Sequence, residues 1–315
     1  MGLSTLQANC TIQAKTNQSY LPIQPHVELF QLCVYIPTFI LGLLFNGMAM
    51  SFAFCKIRQL TESVIYVMSL MILDTLMLFV LPFKIISYHK KEWDLGNAFC
   101  SFLESLYFVN MYGSILISTC ICVDRYIAIL HPFAATTLRS PRKAIITCAI
   151  MSAGVWAGTA YTFKLHEHTG SNSCFHGFSR RTWETPILLI ILEMAFLGCM
   201  IIMIFCTVQI VICLCKSQRL GDPLANKSKS INIIVVNLAT FLLCFTPFHV
   251  ALVLYYLVKN CFLNDDKEIV RTFLQISLCW ANINCFLDAI CYYFVFKEFL
   301  KLPTSEDKLR TTTTE

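Results

Sequence analysis

Long apolar runs separated by short polar stretches recur seven times along this chain, at about 29–55, 62–88, 98–123, 143–163, 185–215, 230–258 and 269–295. Each is long enough to cross a bilayer as a helix, which takes about 20 apolar residues. The alternating ten-residue segments of a membrane β-barrel are absent from the pattern. It therefore predicts an all-α membrane protein, a seven-transmembrane helix bundle spanning 29–295. A polar segment, 1–28, precedes the bundle. After it, Phe296-Lys297-Glu298-Phe299-Leu300-Lys301 alternates apolar and charged positions, which predicts a short amphipathic helix over 296–303 and then a polar tail over 304–315.

Composition points to the same solvent. The chain is 57% hydrophobic and 14% charged, more apolar surface than a soluble protein of 315 residues can bury. Asn9-Cys10-Thr11 and Asn17-Gln18-Ser19 match the glycosylation acceptor pattern, so Asn9 and Asn17 place the N-terminus outside. The polar start lacks the basic and apolar regions of a cleaved signal peptide, so the first span is expected to direct insertion. Seven spans then put the C-terminus in the cytoplasm. More of the Lys and Arg residues fall on the predicted inner segments than on the outer ones, in the sense of the positive-inside rule. Most of the 17 cysteines lie within apolar spans as small packing residues. Cys10, Cys100, Cys174 and Cys261 lie near the oxidising face, and four cysteines allow three pairings.

Ionisable residues at membrane depth are costly and mark function by default. Asp74 sits mid-way along the second span and Asp288 in the seventh. With Asn46, Asn110, Ser114 and Asn284 they offer one hydrated pocket of hard oxygen ligands, suited to a small cation, with plain helix–helix hydrogen bonding as the other reading. Pro247 removes a backbone donor in the sixth span and bends it.

The order of polar landmarks carries a resemblance. Asn46, Asp74, Asp124-Arg125-Tyr126, Trp156, Pro247 and Tyr292 occur on successive spans, as in rhodopsin-like (class A) G protein-coupled receptors. Leu81-Pro82-Phe83-Lys84, Leu138-Arg139-Ser140-Pro141-Arg142-Lys143 and Cys174-Phe175-His176 look most like the lipid-and-nucleotide branch, in particular its receptors for lysophosphatidylinositol and kynurenate. The resemblance implies a plasma-membrane receptor, not an enzyme, coupled to heterotrimeric G proteins and open to arrestin. It implies a switch of Asp124, Arg125, Tyr126 and Tyr292, with Arg125 released from Asp124 to reach toward Tyr292. It further implies a sodium ion at Asp74, and disulfides Cys100–Cys174 and Cys10–Cys261. The chain departs from the family pattern in three places. Asp288-Ala289-Ile290-Cys291-Tyr292 lacks the usual proline, Phe245 stands where tryptophan is common, and the fifth span has no proline. The kink of the seventh span must then come from other packing, or be weaker.

Charge suggests the ligand. Lys84 is expected about one turn below the outer end of the second span, facing inward, where a buried ammonium needs Glu104 or an anion. Tyr107, Phe175, Phe248, His249, Arg271 and Gln275 are expected around the same cavity. Lys84 and Arg271 then suit a phosphate or carboxylate headgroup, with Phe102, Phe108, Met111 and Phe175 against an acyl chain. The reading is an anionic lysophospholipid receptor among membrane lipids, without nucleic acid. A nucleotide, small aromatic acid or peptide ligand, and a non-signalling seven-helix carrier, remain open alternatives. No phosphate-binding glycine loop, zinc-protease helix or nucleophile motif is present, and no lysine lies deep in the seventh span to hold retinal.

Overall fold

The computed structural model describes residues 24–56, 60–90, 93–165, 174–175, 186–219, 227–263 and 266–299. Cys10, Asn9, Asn17 and residues 300–315 lie outside them, as does the side chain of Tyr292. Among the described residues every regular element is a helix. They are α1 (Pro25–Lys56), α2 (Glu62–Lys90), α3 (Asn97–Leu130), α4 (Pro132–Leu138), α5 (Pro141–Leu165), α6 (Pro186–Arg219), α7 (Lys227–Lys259), α8 (Lys267–Ala281) and α9 (Asn284–Phe299). Seven spans are long and apolar enough to cross a membrane, with α8 and the start of α9 forming the seventh. Residues 296–299 continue α9 without a break.

Where helices meet lipid they have no reason to hide apolar residues, and α6 shows it. Ile190, Ile191, Met194, Ile201 and Phe205 are exposed along that helix, as a belt facing acyl chains requires. Lipid tails are as apolar as leucine, so cohesion inside the bundle rests on close packing and interhelical hydrogen bonds. α3 is the central helix and packs against α2, α5, α6 and α7. Gly113 lets α2 approach it: a Cβ there would lie 2.7 Å from the Leu73 side chain. Above and below this contact, separate apolar clusters fill the outer half around Tyr35, Leu81 and Leu103 and the inner half around Val67, Leu70 and Ile117.

Helix ends follow local chemistry. Thr61 precedes α2 and accepts from the Val64 N–H, and Asp266 caps α8 by accepting from the Glu268 N–H at 2.9 Å. Pro132 and Pro141 open α4 and α5, where a missing N–H costs nothing. Pro37, Pro82 and Pro247 lie inside α1, α2 and α7.

The seventh span is interrupted although no proline stands in it. α8 ends at Ala281 and α9 begins at Asn284. Between them the ladder changes register: Ile283 N–H donates to Trp280 O at 3.1 Å, Cys285 N–H to Asn282 O at 3.2 Å and Phe286 N–H to Ile283 O at 3.2 Å. These are three-residue spacings, the tighter 3₁₀ pattern. This irregularity lies ahead of Ala289, where the family's proline stands.

Candidate functional site

At the outer mouth the loop before α6 is tied down through two residues. Cys174 is bonded to Cys100 near the start of α3, with Cα atoms 5.7 Å apart. Phe175 then takes φ of 66°, a region bulky residues seldom enter. Both polar groups of its backbone are held: its N–H donates to Glu104 Oε1 at 2.9 Å, and its carbonyl accepts from Lys84 Nζ at 3.4 Å. Lys84 is 7% exposed and also lies over the rings of Phe175 at 4.6 Å and Tyr88 at 5.3 Å. Lys84 and Glu104 therefore do not form a direct pair. The Phe175 peptide stands between them, and a distant attraction is all the carboxylate adds. Edge and stacked ring contacts continue outward from Phe175 to Trp93, Phe99 and Phe83.

Tyr107, one turn further along α3, is less available to a ligand than expected. Its hydroxyl lies 2.8 Å from the Tyr35 hydroxyl and accepts from Asn282 Nδ2. Gln31 extends this network, accepting from Tyr88 and donating to the Gln275 carbonyl at 3.1 Å. The outer half of the seventh span is thereby pinned to α1, α2 and α3. Arg271 lies within electrostatic reach of Tyr255 on α7.

His249 belongs to a second cluster. Its Nδ1 lies 3.0 Å from Glu193 Oε1 on α6, and its ring stacks on Phe196 at 3.8 Å with Tyr112 and Phe248 edge-on. His249 Nε2 and the Tyr112 hydroxyl are buried with no hydrogen-bond partner among the described residues. The residues expected around one cavity thus divide into a cationic group near Lys84 and a His–Glu group between α6 and α7.

Deeper in the bundle four of the expected polar residues, Asp74, Asn110, Asn284 and Asp288, lie within reach of one another. Asp74 is fully buried, accepts from Asn110 Nδ2 at 3.3 Å and lies within electrostatic reach of Asp288. Asn284 Nδ2 donates to Asp288 at 2.6 Å, and Asn46 Nδ2 donates to the Cys285 carbonyl at 2.9 Å. Asp74 Oδ2, Ser114 Oγ and Asn46 Oδ1 are buried without a partner among the described residues. Buried oxygens without a partner on α1, α2 and α3 are hard ligands of the kind a small cation takes.

The inner switch differs from the expectation. Both Asp124 oxygens are taken, by Arg139 Nε at 2.7 Å and Nη2 at 3.2 Å, while Ser63 Oγ donates to it at 2.6 Å. Glu62 lies 3.3 Å from the same guanidinium. Burial works against the Arg139 charge, yet the hydrogen bonds and attraction of Asp124, with Glu62, raise its pKa above the ordinary value. Asp124 is therefore anchored to the segment after α4 rather than engaged with Arg125 alone. Tyr126 packs against His131 and Phe205, and at the start of α4 the side chain of Phe133 is 92% exposed.

Arg139, Ser63 and Glu193 had no assigned role in the sequence. Glu193, a lone carboxylate in the most apolar span, carried the same signal that marked Asp74. The Cys100–Cys174 disulfide is present, and Cys261 is disulfide-bonded, with its expected partner Cys10 outside the described residues.

Residues 45–292 match the family model for 7 transmembrane receptors (rhodopsin family). The chain is 37% identical over 300 residues to G-protein coupled receptor 55 of Mus musculus, covering 90% of this chain and 91% of that one. It is 35% identical to lysophosphatidic acid receptor 4 of Homo sapiens (85% and 75% covered) and 35% identical to human lysophosphatidic acid receptor 6 (83% and 79%).

Proposed function

The chain belongs to the rhodopsin family of seven-transmembrane receptors and couples to G proteins as its members do, and from that premise we propose that its ligand is an anionic lysophospholipid, lysophosphatidylinositol-like in chemistry, whose headgroup is held at Lys84. The observation that carries this reading is the state of Lys84. Its ammonium is withdrawn from water, yet its partners are one carbonyl at 3.4 Å and two ring faces. An ammonium so placed lacks a full counter-ion, and a phosphate supplies one. The aromatic side chains around Phe175 suit the apolar remainder of such a molecule. Two curated relatives carry lysophosphatidic acid in their names, which supports the same ligand class.

The N-terminus lies outside in this reading, with the Cys100–Cys174 disulfide at the oxidising face and the Asp124 cluster in the cytoplasm. Arg271 is then a second cation for the headgroup at the outer end of α8, while His249 and Phe248 stand apart in the Glu193 cluster and Tyr107 and Gln275 serve the network that pins the seventh span. Arrestin is proposed to read the phosphorylated tail. The Asp74 pocket fits sodium: Asp74, Ser114 and Asn46 would hold it, and the ion would supply positive charge against the two buried carboxylates. With or without it, Asn110 and Asn284 fix the orientation of Asp74 and Asp288.

A reporter line expressing the receptor, screened with lysophosphatidylinositol, lysophosphatidic acid, nucleotides, kynurenate and peptides, tests the ligand class. Responses confined to the anionic lysolipids and lost in Lys84→Ala at normal surface expression are expected. Responses only to the other classes would overturn the reading.

A further inference from the structure

Pro247 deprives one carbonyl of α7 of its helical donor, and a neighbouring helix supplies another. Proline has no N–H, and its ring crowds the carbonyl four residues back. In α7 that carbonyl belongs to Leu243. It accepts from the indole Nε1 of Trp280 on α8 at 3.0 Å. Leu243 is 66% exposed and Trp280 42%, so the bond crosses the seam between α7 and the seventh span on the lipid-facing side. Hydrocarbon offers no water to replace it, and a carbonyl left bare there is costly. Trp280 also belongs to the other irregular point of the bundle. Its own carbonyl accepts from the Ile283 N–H at 3.1 Å, one of the three-residue spacings that separate α8 from α9. The side chain of Trp280 therefore serves the bend of α7, and its backbone the break in the seventh span. A second donor stands close by in sequence. The hydroxyl of Thr246, three residues after Leu243, is buried with no hydrogen-bond partner among the described residues. Threonine hydroxyls in helices bond carbonyls three or four residues back, so a change of rotamer lets Thr246 serve Leu243.

We propose that Trp280 is a lipid-facing latch across the Pro247 bend, which holds α7 to the seventh span and opens by passing the Leu243 carbonyl from Trp280 to Thr246. Such a handover lets α7 turn against the seventh span without leaving a polar group bare in lipid. It also defines two discrete arrangements, whose balance a partner can bias. Coupling at the cytoplasmic face works on the inner half of α7, and the Trp280 bond opposes any turn of that half about Pro247. Removing the indole N–H therefore favours the turned arrangement, and removing the Thr246 hydroxyl disfavours it. Trp280 is a positioning residue that acts through the backbone of α7. The inference rests on the coupling of the receptor to G proteins and is independent of which ligand it binds.

The test uses the full-length receptor in membranes, without ligand and at matched receptor density. G-protein nucleotide exchange is measured for wild type, Trp280→Phe, Pro247→Ala, the double variant and Thr246→Val. Trp280→Phe keeps an aromatic ring in the seam and deletes the N–H. It is expected to raise basal exchange about fivefold, the equilibrium shift that one hydrogen bond of ordinary net strength produces. With alanine at position 247 the Leu243 carbonyl regains a helical donor, so Trp280→Phe changes exchange by no more than about twofold in that background. A loss of ring packing alone would act equally in both backgrounds. Thr246→Val removes the second donor and is expected to lower exchange about fivefold. Unchanged or lowered exchange in Trp280→Phe, or an equal effect in the two proline backgrounds, overturns the latch. A Thr246→Val receptor as active as wild type overturns the handover. If Pro247→Ala does not reach the surface, or basal exchange lies below detection, hydrogen–deuterium exchange of amides 245–251 in the purified receptor decides. Faster exchange in Trp280→Phe than in wild type supports the latch, and unchanged exchange overturns it.

Discussion

Replacing Arg139 by alanine tests how the inner switch is held. The substitution removes two bonds to Asp124, at 2.7 and 3.2 Å, and the contact to Glu62 at 3.3 Å. Asp124 is 5% exposed and keeps the Ser63 hydroxyl at 2.6 Å. Hydrogen bonds to charged groups contribute about 1.5–3 kcal/mol each, and loss of one partner of a fully buried pair costs about 3–5 kcal/mol. The Arg139 side chain is 25% exposed, so water replaces part of what is lost. A coupling of about 1–3 kcal/mol between the two residues is therefore expected. The carboxylate freed by Arg139→Ala will act more strongly on Arg125, its neighbour in sequence. That holds Arg125 back and lowers basal nucleotide exchange by about fivefold or more. Asp124→Asn in the same background removes the negative charge that attracts Arg125 and restores exchange. The assay is ligand-free G-protein nucleotide exchange in membranes at matched receptor density, arranged as a double-mutant cycle. Additive effects of the two substitutions would refute the reasoning, as would unchanged exchange in Arg139→Ala.

Three further outcomes follow from other parts of the bundle. His249→Phe preserves ring stacking on Phe196 but strands the Glu193 carboxylate, whereas Glu193→Gln keeps a neutral hydrogen bond, so thermal stability in detergent should fall in the order wild type, Glu193→Gln, His249→Phe. A His249→Phe protein as stable as wild type would show that the pair contributes nothing. Replacing potassium chloride by sodium chloride should raise the melting temperature of the purified receptor by a few degrees, and Asp74→Asn should abolish the difference; an undiminished sodium effect in that variant would place the ion elsewhere. Phe133→Ala, which removes an exposed ring beside the inner switch, should lower G-protein activation several-fold while leaving lysophosphatidylinositol binding unchanged, and equal activation would remove Phe133 from the coupling surface.

The spans were legible because lipid demands about 20 apolar residues in succession, and no tertiary context alters that requirement. Asp74 was legible for the converse reason, that a carboxylate at membrane depth is too costly to persist without a use. Asp124 was recognised with its neighbours, but its partner was not. Arg139 lies beyond a seven-residue helix, and nothing local signals that α4 returns it to the carboxylate. The Lys84–Glu104 relation was half legible. Two opposite charges on facing helices suggested a pair, but the peptide that separates them comes from a loop placed by a disulfide. The interruption at Asn282 and Ile283 carries no proline or glycine, so the backbone signals that punctuate a sequence are silent there. An asparagine inside an apolar run was the only trace, and its meaning depends on a tyrosine 175 positions away. Contacts made through backbone groups are the part of this site least readable from side-chain identity.

The central claim, an anionic headgroup held by Lys84, is tested most directly by equilibrium binding of lysophosphatidylinositol to the purified receptor and to Lys84→Gln, a variant of similar length without the charge. Loss of a charge-assisted hydrogen bond should raise the dissociation constant about 10- to 100-fold, with the uncharged monoacylglycerol of the same chain binding weakly and equally to both proteins. Equal affinity of the two proteins for lysophosphatidylinositol would contradict the account.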